Sequence, residues 1–98
     1  MNKIAFFLKN ELLVNTDWRR IMDGNPGVGG SEYIIALTAY VLSIRSNVDV
    51  TLIVQKKSQF PVGLNIAYAD NLRAAIDYCD KNGISYLAFK EYPRWIHE

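Results

Sequence analysis

The run Lys3-Ile4-Ala5-Phe6-Phe7-Leu8 sets five consecutive apolar residues behind a charged start. A strand wetted on one face alternates polar with apolar residues. An unbroken apolar run suits a strand covered on both faces. Such strands belong to parallel sheets held between helices, so this one element already demands neighbours on both edges and helices above and below. The strand is expected to stop at Lys9-Asn10-Glu11.

The rest of the chain supplies those partners. Glu32 to Arg45 predicts a helix, with Ile34, Leu37, Val41 and Ile44 at helical spacing and Ile35, Ala39 and Leu42 widening the stripe. So much apolar surface implies a helix packed on a sheet with little left exposed. Ser31 or Gly30 is the expected N-cap, and Glu32 suits the positive end of the helix dipole. Val48 to Val54 is rich in β-branched residues and reads as a second strand. Leu64 to Tyr68 reads as a third. Only about nine residues lie between them, where a parallel crossover takes about a dozen or more. An edge strand is expected here, with antiparallel pairing open to it. Asp70 or Asn71 can cap a second helix over Leu72 to Lys81, whose inner face is Leu72, Ala75, Ile76 and Cys79. Asn82-Gly83 ends it. Ile84 to Phe89 predicts a fourth buried strand.

Strands alternating with helices in this way predict an α/β fold, a Rossmann-like half with about four mostly parallel strands in the order 3-2-1-4 and two main helices. With 98 residues, half of them hydrophobic, the chain reads as one domain. Its 11 basic and 10 acidic residues give neither a nucleic-acid arm nor an acidic tail. Lys56-Lys57 and Arg94 are too few for a nucleic-acid stripe. The single cysteine suits a reducing compartment. The uncharged run Tyr33 to Ile44 is shorter than the roughly 20 residues of a membrane span, and Met1 to Leu8 is short for a secretory signal. A cytoplasmic protein is the expectation.

The connection from residue 9 to residue 30 stands apart. It is far longer than the ~2–6 residues of an ordinary strand-to-helix loop, and it holds four of the six glycines: Gly24, Gly27, Gly29 and Gly30. A helical turn within Leu12 to Met22 fits its composition. Glycines before a helix let the backbone approach a phosphate closely, while the first-turn N–H groups point at it. A plain turn is the competing reading. The dinucleotide fingerprint fails, because its third glycine position from Gly27 is Glu32. The P-loop also fails, since no lysine follows Gly30.

The segment Lys-Ile-Ala-Phe-Phe, the loop closing in Gly-Asn-Pro-Gly-Val-Gly-Gly-Ser-Glu-Tyr, the hydrophobic helix and Val-Asp-Val-Thr-Leu-Ile-Val together resemble the opening of a GT-B glycosyltransferase. More narrowly they are similar to the retaining, family-4-like bacterial enzymes of surface-polysaccharide biosynthesis. The resemblance covers most of residues 1 to 55. It implies an N-terminal domain whose second domain is absent, a nucleotide-sugar substrate, no bound metal or other cofactor, and a glycan or lipid-linked acceptor. It implies a cytoplasmic enzyme, at the inner face of the membrane where the acceptor is lipid-linked. By that resemblance Gly29, Gly30, Ser31 and Glu32 face the donor phosphates, and Asn10 borders the acceptor side. Lys90 and Glu91 follow strand four on the ligand side and are the remaining polar candidates. The family's donor-binding C-terminal domain has no counterpart here, so catalysis by this chain alone is not expected.

Two further readings compete. One is a stand-alone nucleotide- or phosphate-binding module. The other is a receiver-like signalling domain, disfavoured because no paired acids end strand one. Arg19 and Arg20 suit phosphate recognition or pairing with Asp17 and Asp23. Cys79 reads as a buried small hydrophobe, and His97 as a surface residue. Trp18, Trp95 and Ile96 are expected to be partly exposed. An uncovered edge near strand four would recruit a second copy.

Overall fold

A computed structural model describes residues 2–13, 15–45 and 47–90. The fold is α/β: a four-stranded, all-parallel sheet in the order β3-β2-β1-β4 with a helix on each face. The elements are β1 (Asn2–Leu8), a short 3-10 turn (Ile21–Asp23), α1 (Gly30–Ser43), β2 (Val48–Val54), β3 (Asn65–Tyr68), α2 (Leu72–Lys81) and β4 (Tyr86–Ala88).

The unbroken apolar run of β1 is central, paired with β2 on one edge and β4 on the other. Its side chains alternate between two cores. Phe6 and Leu8 join Val50, Leu52 and Val54 beneath α1, together with Trp18, Ile21, Ala36 and Ala39. Ala5 and Phe7 join Ile53, Ala67, Ala75 and Cys79 beneath α2. The parallel register sets Phe6 beside Leu52 and Phe7 beside Ile53, so each layer is continuous across the strands.

Three sequence expectations are revised. First, β3 is parallel to β2 although no helix intervenes. Residues 55–64, at ~3.3 Å per extended residue, reach back along a short strand without one. They cross the α1 face, where Phe60 and Leu64 pack into the core. Second, the sheet contacts α1 through Ala36 and Ala39, with Ile35 and Leu42 beside them. Two alanines let the helix backbone approach the strands closely. Ile34 and Ile44 are thereby turned outward, 57% and 64% exposed. On α2 the buried residues are Ala75 and Cys79, while Ile76 is 40% exposed. Third, β4 is an exposed edge rather than a buried strand. Tyr86 and Ala88 face solvent and only Leu87 is half-buried.

Helix ends follow local chemistry. Asn71 caps α2, its Oδ1 accepting from the Ala74 N–H at 2.9 Å. Gly83, at φ +66°, closes its C-terminus while the Ile84 N–H returns to the Cys79 carbonyl at 3.0 Å. The N-cap of α1 is Gly29, not Ser31 or Gly30, and no side chain caps it by hydrogen bond. Trp18 is wholly enclosed rather than partly exposed. The expectations for Arg94, Trp95, Ile96 and His97 lie outside the described residues. Among the described residues, no helix is long and apolar enough to cross a membrane.

Burial of α2 generates a paired prediction. Ala75→Asp sets an unpaired charge at a fully buried position and should abolish cooperative unfolding. Ile76→Asp, at an exposed position, should keep it. Circular-dichroism melts of the two variants decide the matter. An intact Ala75→Asp transition would mean that α2 does not pack as described.

Candidate functional site

In an open parallel sheet, ligands gather beyond the carboxyl ends of the strands where strand order reverses. Here that point lies between β1 and β4. The long connection leaves β1 there and re-enters the fold at α1.

The connection is ordered by side chains far away in sequence. Asn10, fully buried, accepts at Oδ1 from the Gln55 and Lys56 N–H groups at 2.9 and 3.0 Å. Its Nδ2 donates to the Lys56 carbonyl at 2.9 Å. The amide thus ties the exit of β1 to the exit of β2. Asn10 was expected to border an acceptor; its amide is instead committed to backbone. Farther along, Asp17 bridges Gln59 as a strand would. The Trp18 N–H donates to the Gln59 carbonyl at 2.7 Å, and Ser58 Oγ donates to the Thr16 carbonyl at 2.9 Å. The Trp18 ring stacks on Phe60, centroids 6.2 Å apart. Its Nε1 is buried without a partner among the described residues. Such an unmet donor costs about 1–3 kcal/mol. Burial of so large a ring opposes that cost.

The glycine end has its own scaffold. Asn25 Oδ1 accepts from the Gly27 and Val28 N–H groups at 2.9 and 2.8 Å, and Asn25 Nδ2 donates to the Val28 carbonyl at 2.9 Å. This turn holds Gly27 at φ +98°, where a side chain would be strained. Gly30 is different. A Cβ there meets nothing within 4 Å, and its φ is ordinary. The fold does not require glycine at position 30.

Four of the expected site residues converge at the start of α1, and Lys90 meets them. Lys90 Nζ donates to Ser31 Oγ across 59 residues of sequence. Gly30, Ser31 and Lys90 line an open trough of about 690 Å³. A small hollow of about 30 Å³ adjoins it, lined by Lys9, Ser31, Glu32 and Lys90 among others. The Glu32 carboxylate folds back on Gly29, its Oε2 2.5 Å from where a Gly29 Cβ would stand. A carboxylate in that position satisfies the positive end of the helix, and it opposes a phosphate there. Glu91 lies outside the described residues.

Lys9 escaped the sequence reading. It lines the small hollow and two further depressions, of about 400 and 290 Å³, around the carboxyl end of β1. Its only sequence signal is its place as the first polar residue after a buried strand. Arg19 and Arg20, by contrast, are engaged within the loop. Arg19 grips Asp17 through two contacts of 3.0 and 2.9 Å, and Arg20 Nε meets Asp23 at 2.8 Å. The hydrogen bonds from Arg19 hold the Asp17 carboxyl down to about 2, against an ordinary 3.8. Burial pushes the Cys79 thiol up, and the nearby Asp80 charge adds to this. A thiol so disposed is a poor nucleophile. Among the described residues no His, Cys, Asp and Glu cluster could hold a metal ion.

The site thus presents backbone N–H groups at a helix start, a lysine–serine contact, a second lysine and one carboxylate, at the reversal point of a parallel sheet. The chain matches no protein-family model, no curated protein sequence and no solved structure.

Two measurements test this geometry. Asn10→Ala leaves the Gln55 and Lys56 N–H groups without their acceptor. It should lower stability by about 1–3 kcal/mol in a urea titration. A neutral effect would show that the clamp is dispensable. For Asp17, a lowered folded pKa means that its contribution is complete above the ordinary 3.8 and is lost as pH falls through about 2. Its carboxyl resonance should titrate near 2 and return toward 3.8 in Arg19→Ala. A wild-type midpoint near 3.8 would mean that the pair does not form in solution.

Proposed function

We propose that this chain is the N-terminal Rossmann-like domain, or a fragment of it, of a retaining GT-B glycosyltransferase of the family-4-like kind, one that builds bacterial surface polysaccharide. The parent enzyme transfers a sugar from a nucleotide-sugar donor to a glycan or lipid-linked acceptor, in the cytoplasm or at the inner face of the membrane. One observation carries the proposal. The glycine loop delivers the start of α1 to the point between β1 and β4 where strand order reverses.

The roles follow from chemistry. The N–H groups of Gly30 and Ser31 belong to the unpaired first turn of α1 and face the donor phosphates. Lys9 supplies positive charge at the same edge. Glu32, being an anion, is assigned to accept hydrogen bonds from sugar hydroxyls instead. Lys90 stands on the acceptor side. Donor contacts from a second domain complete the cleft, so this chain alone binds weakly and transfers nothing.

Titration of the labelled 98-residue chain with a panel of nucleoside-diphosphate sugars tests this. Amide resonances of Gly29 to Glu32 should shift with millimolar, unsaturated binding. Gly30→Asp should remove the shifts while leaving the melting transition intact, because position 30 opens onto free space. Shifts elsewhere only, or none with any donor, would overturn the reading. So would sugar-nucleotide turnover by the chain alone. Saturation at micromolar nucleotide would instead support a stand-alone nucleotide- or phosphate-binding module.

A further inference from the structure

The sheet ends at β4. Its Tyr86, Leu87 and Ala88 pair with Ile4, Ala5 and Phe6 of β1. Among the described residues no strand pairs with its outer side. Alternate residues along that side turn their backbone N–H and C=O groups outward. Exposed edges are commonly guarded by a charge or a proline. Tyr86-Leu87-Ala88 carries neither.

The register with β1 fixes the faces. Tyr86 and Ala88 stand beside Ile4 and Phe6, on the α1 face, and Leu87 beside Ala5, on the α2 face. Helix α1 packs over β1 and β2. On its face of β4, Tyr86 is 64% exposed and Ala88 is exposed at the wall of the open trough.

We propose that β4 is the pairing edge for a second copy of this chain, antiparallel to it about a two-fold axis through Leu87. An isologous contact must be self-complementary, and this one is. Tyr86 meets the partner's Ala88, and Leu87 meets the partner's Leu87. Even-numbered residues then face even and odd face odd, so outward backbone groups meet outward ones whichever set they form. A slip of one residue would set outward groups against inward ones. Side chains agree with the backbone. Each tyrosine ring lies beside the other copy's alanine, large against small, on the α1 face of both sheets. The partner's Tyr86 thereby adds a wall to the trough beside Ala88.

A small ligand in the trough would cover side chains and leave the edge backbone unpaired; a second β4 meets both. The net charge of +1 sets little repulsion between copies. The contact does not rest on sugar transfer, and a chain that binds no nucleotide sugar can still pair. A three-residue strand buries less than the ~800 Å² a side of a stable complex, so exchange between monomer and dimer is expected between about 10 μM and about 1 mM.

Sedimentation of the 98-residue chain across that range tests the pairing, with amide exchange of residues 85–89 as the local readout. Mass should rise toward the dimer, and the outward amides of β4 should exchange more slowly as concentration rises. Tyr86→Lys and Ala88→Glu should each weaken association at least tenfold. Both positions are exposed, so both variants should keep the wild-type melting transition. In the double variant each new charge faces its opposite across the two-fold axis, and association should return to within about threefold of wild type. A monomer throughout the range would overturn the proposal. So would edge amides protected equally at every concentration, which means cover from within one chain, or concentration-dependent protection of Asn65–Tyr68 instead, which puts the contact on β3. Weakening by both single variants without recovery in the double variant would overturn the register.

Discussion

Everything in this fold is organised by the two-sided burial of β1. Residues 5 to 8 are buried whichever face they point to. That condition is met only if helices cover both sides and strands flank both edges. Phe6 and Leu8 draw α1 and the long connection to one face. Ala5 and Phe7 draw α2 to the other. At ~1.5–3 kcal/mol for each large apolar side chain removed from water, this strand anchors both cores. The reversal of strand order beside it follows, because β4 must pair with its free edge.

A central strand covered on both sides also decides where the polar chemistry lies. The first exposed residue after its buried run is Lys9, at the carboxyl end. The connection beyond it would be expensive to order from local contacts alone. It is ordered instead by residues 55–64, through the Asn10 clamp, the Asp17–Gln59 bridge and the Trp18–Phe60 stack. The helix-free crossover from β2 to β3 is thus more than a short cut. Lying over the α1 face, it provides the surface on which the connection settles. The loop that carries the candidate site and the crossover that braces it form one packed unit.

Much of this was legible in the sequence. Residues 48–54 and 72–81 are read from composition and period alone, and strand order follows from the alternation of elements. The misreadings share a cause. Period locates an apolar stripe on α1 but cannot tell which side of a wide stripe meets the sheet. Close approach decides that, and it favours Ala36 and Ala39 over the larger Ile34 and Ile44. The same holds for Ala75 over Ile76 on α2. Trp18 and Asn10 could not be placed, because their partners lie more than 40 residues away. The Lys90–Ser31 contact spans 59 residues. Both residues were expected on the ligand side, but nothing local to either could join them.

The glycines before α1 differ in what backbone and packing ask of each. Gly27 is required by its backbone, since Asn25 holds it at a positive φ. Gly29 is crowded by the Glu32 carboxylate, the mobile end of a side chain that can move away. Gly30 faces open space at an ordinary φ, so an alanine there would meet no clash. Glycine at an early helical position exacts up to about 1 kcal/mol relative to alanine. A fold under no other demand gains by replacing it. Gly30 thus stands at the rim of an open trough, in the first turn of α1 beside the sheet's reversal point, at a position where packing does not ask for a missing side chain.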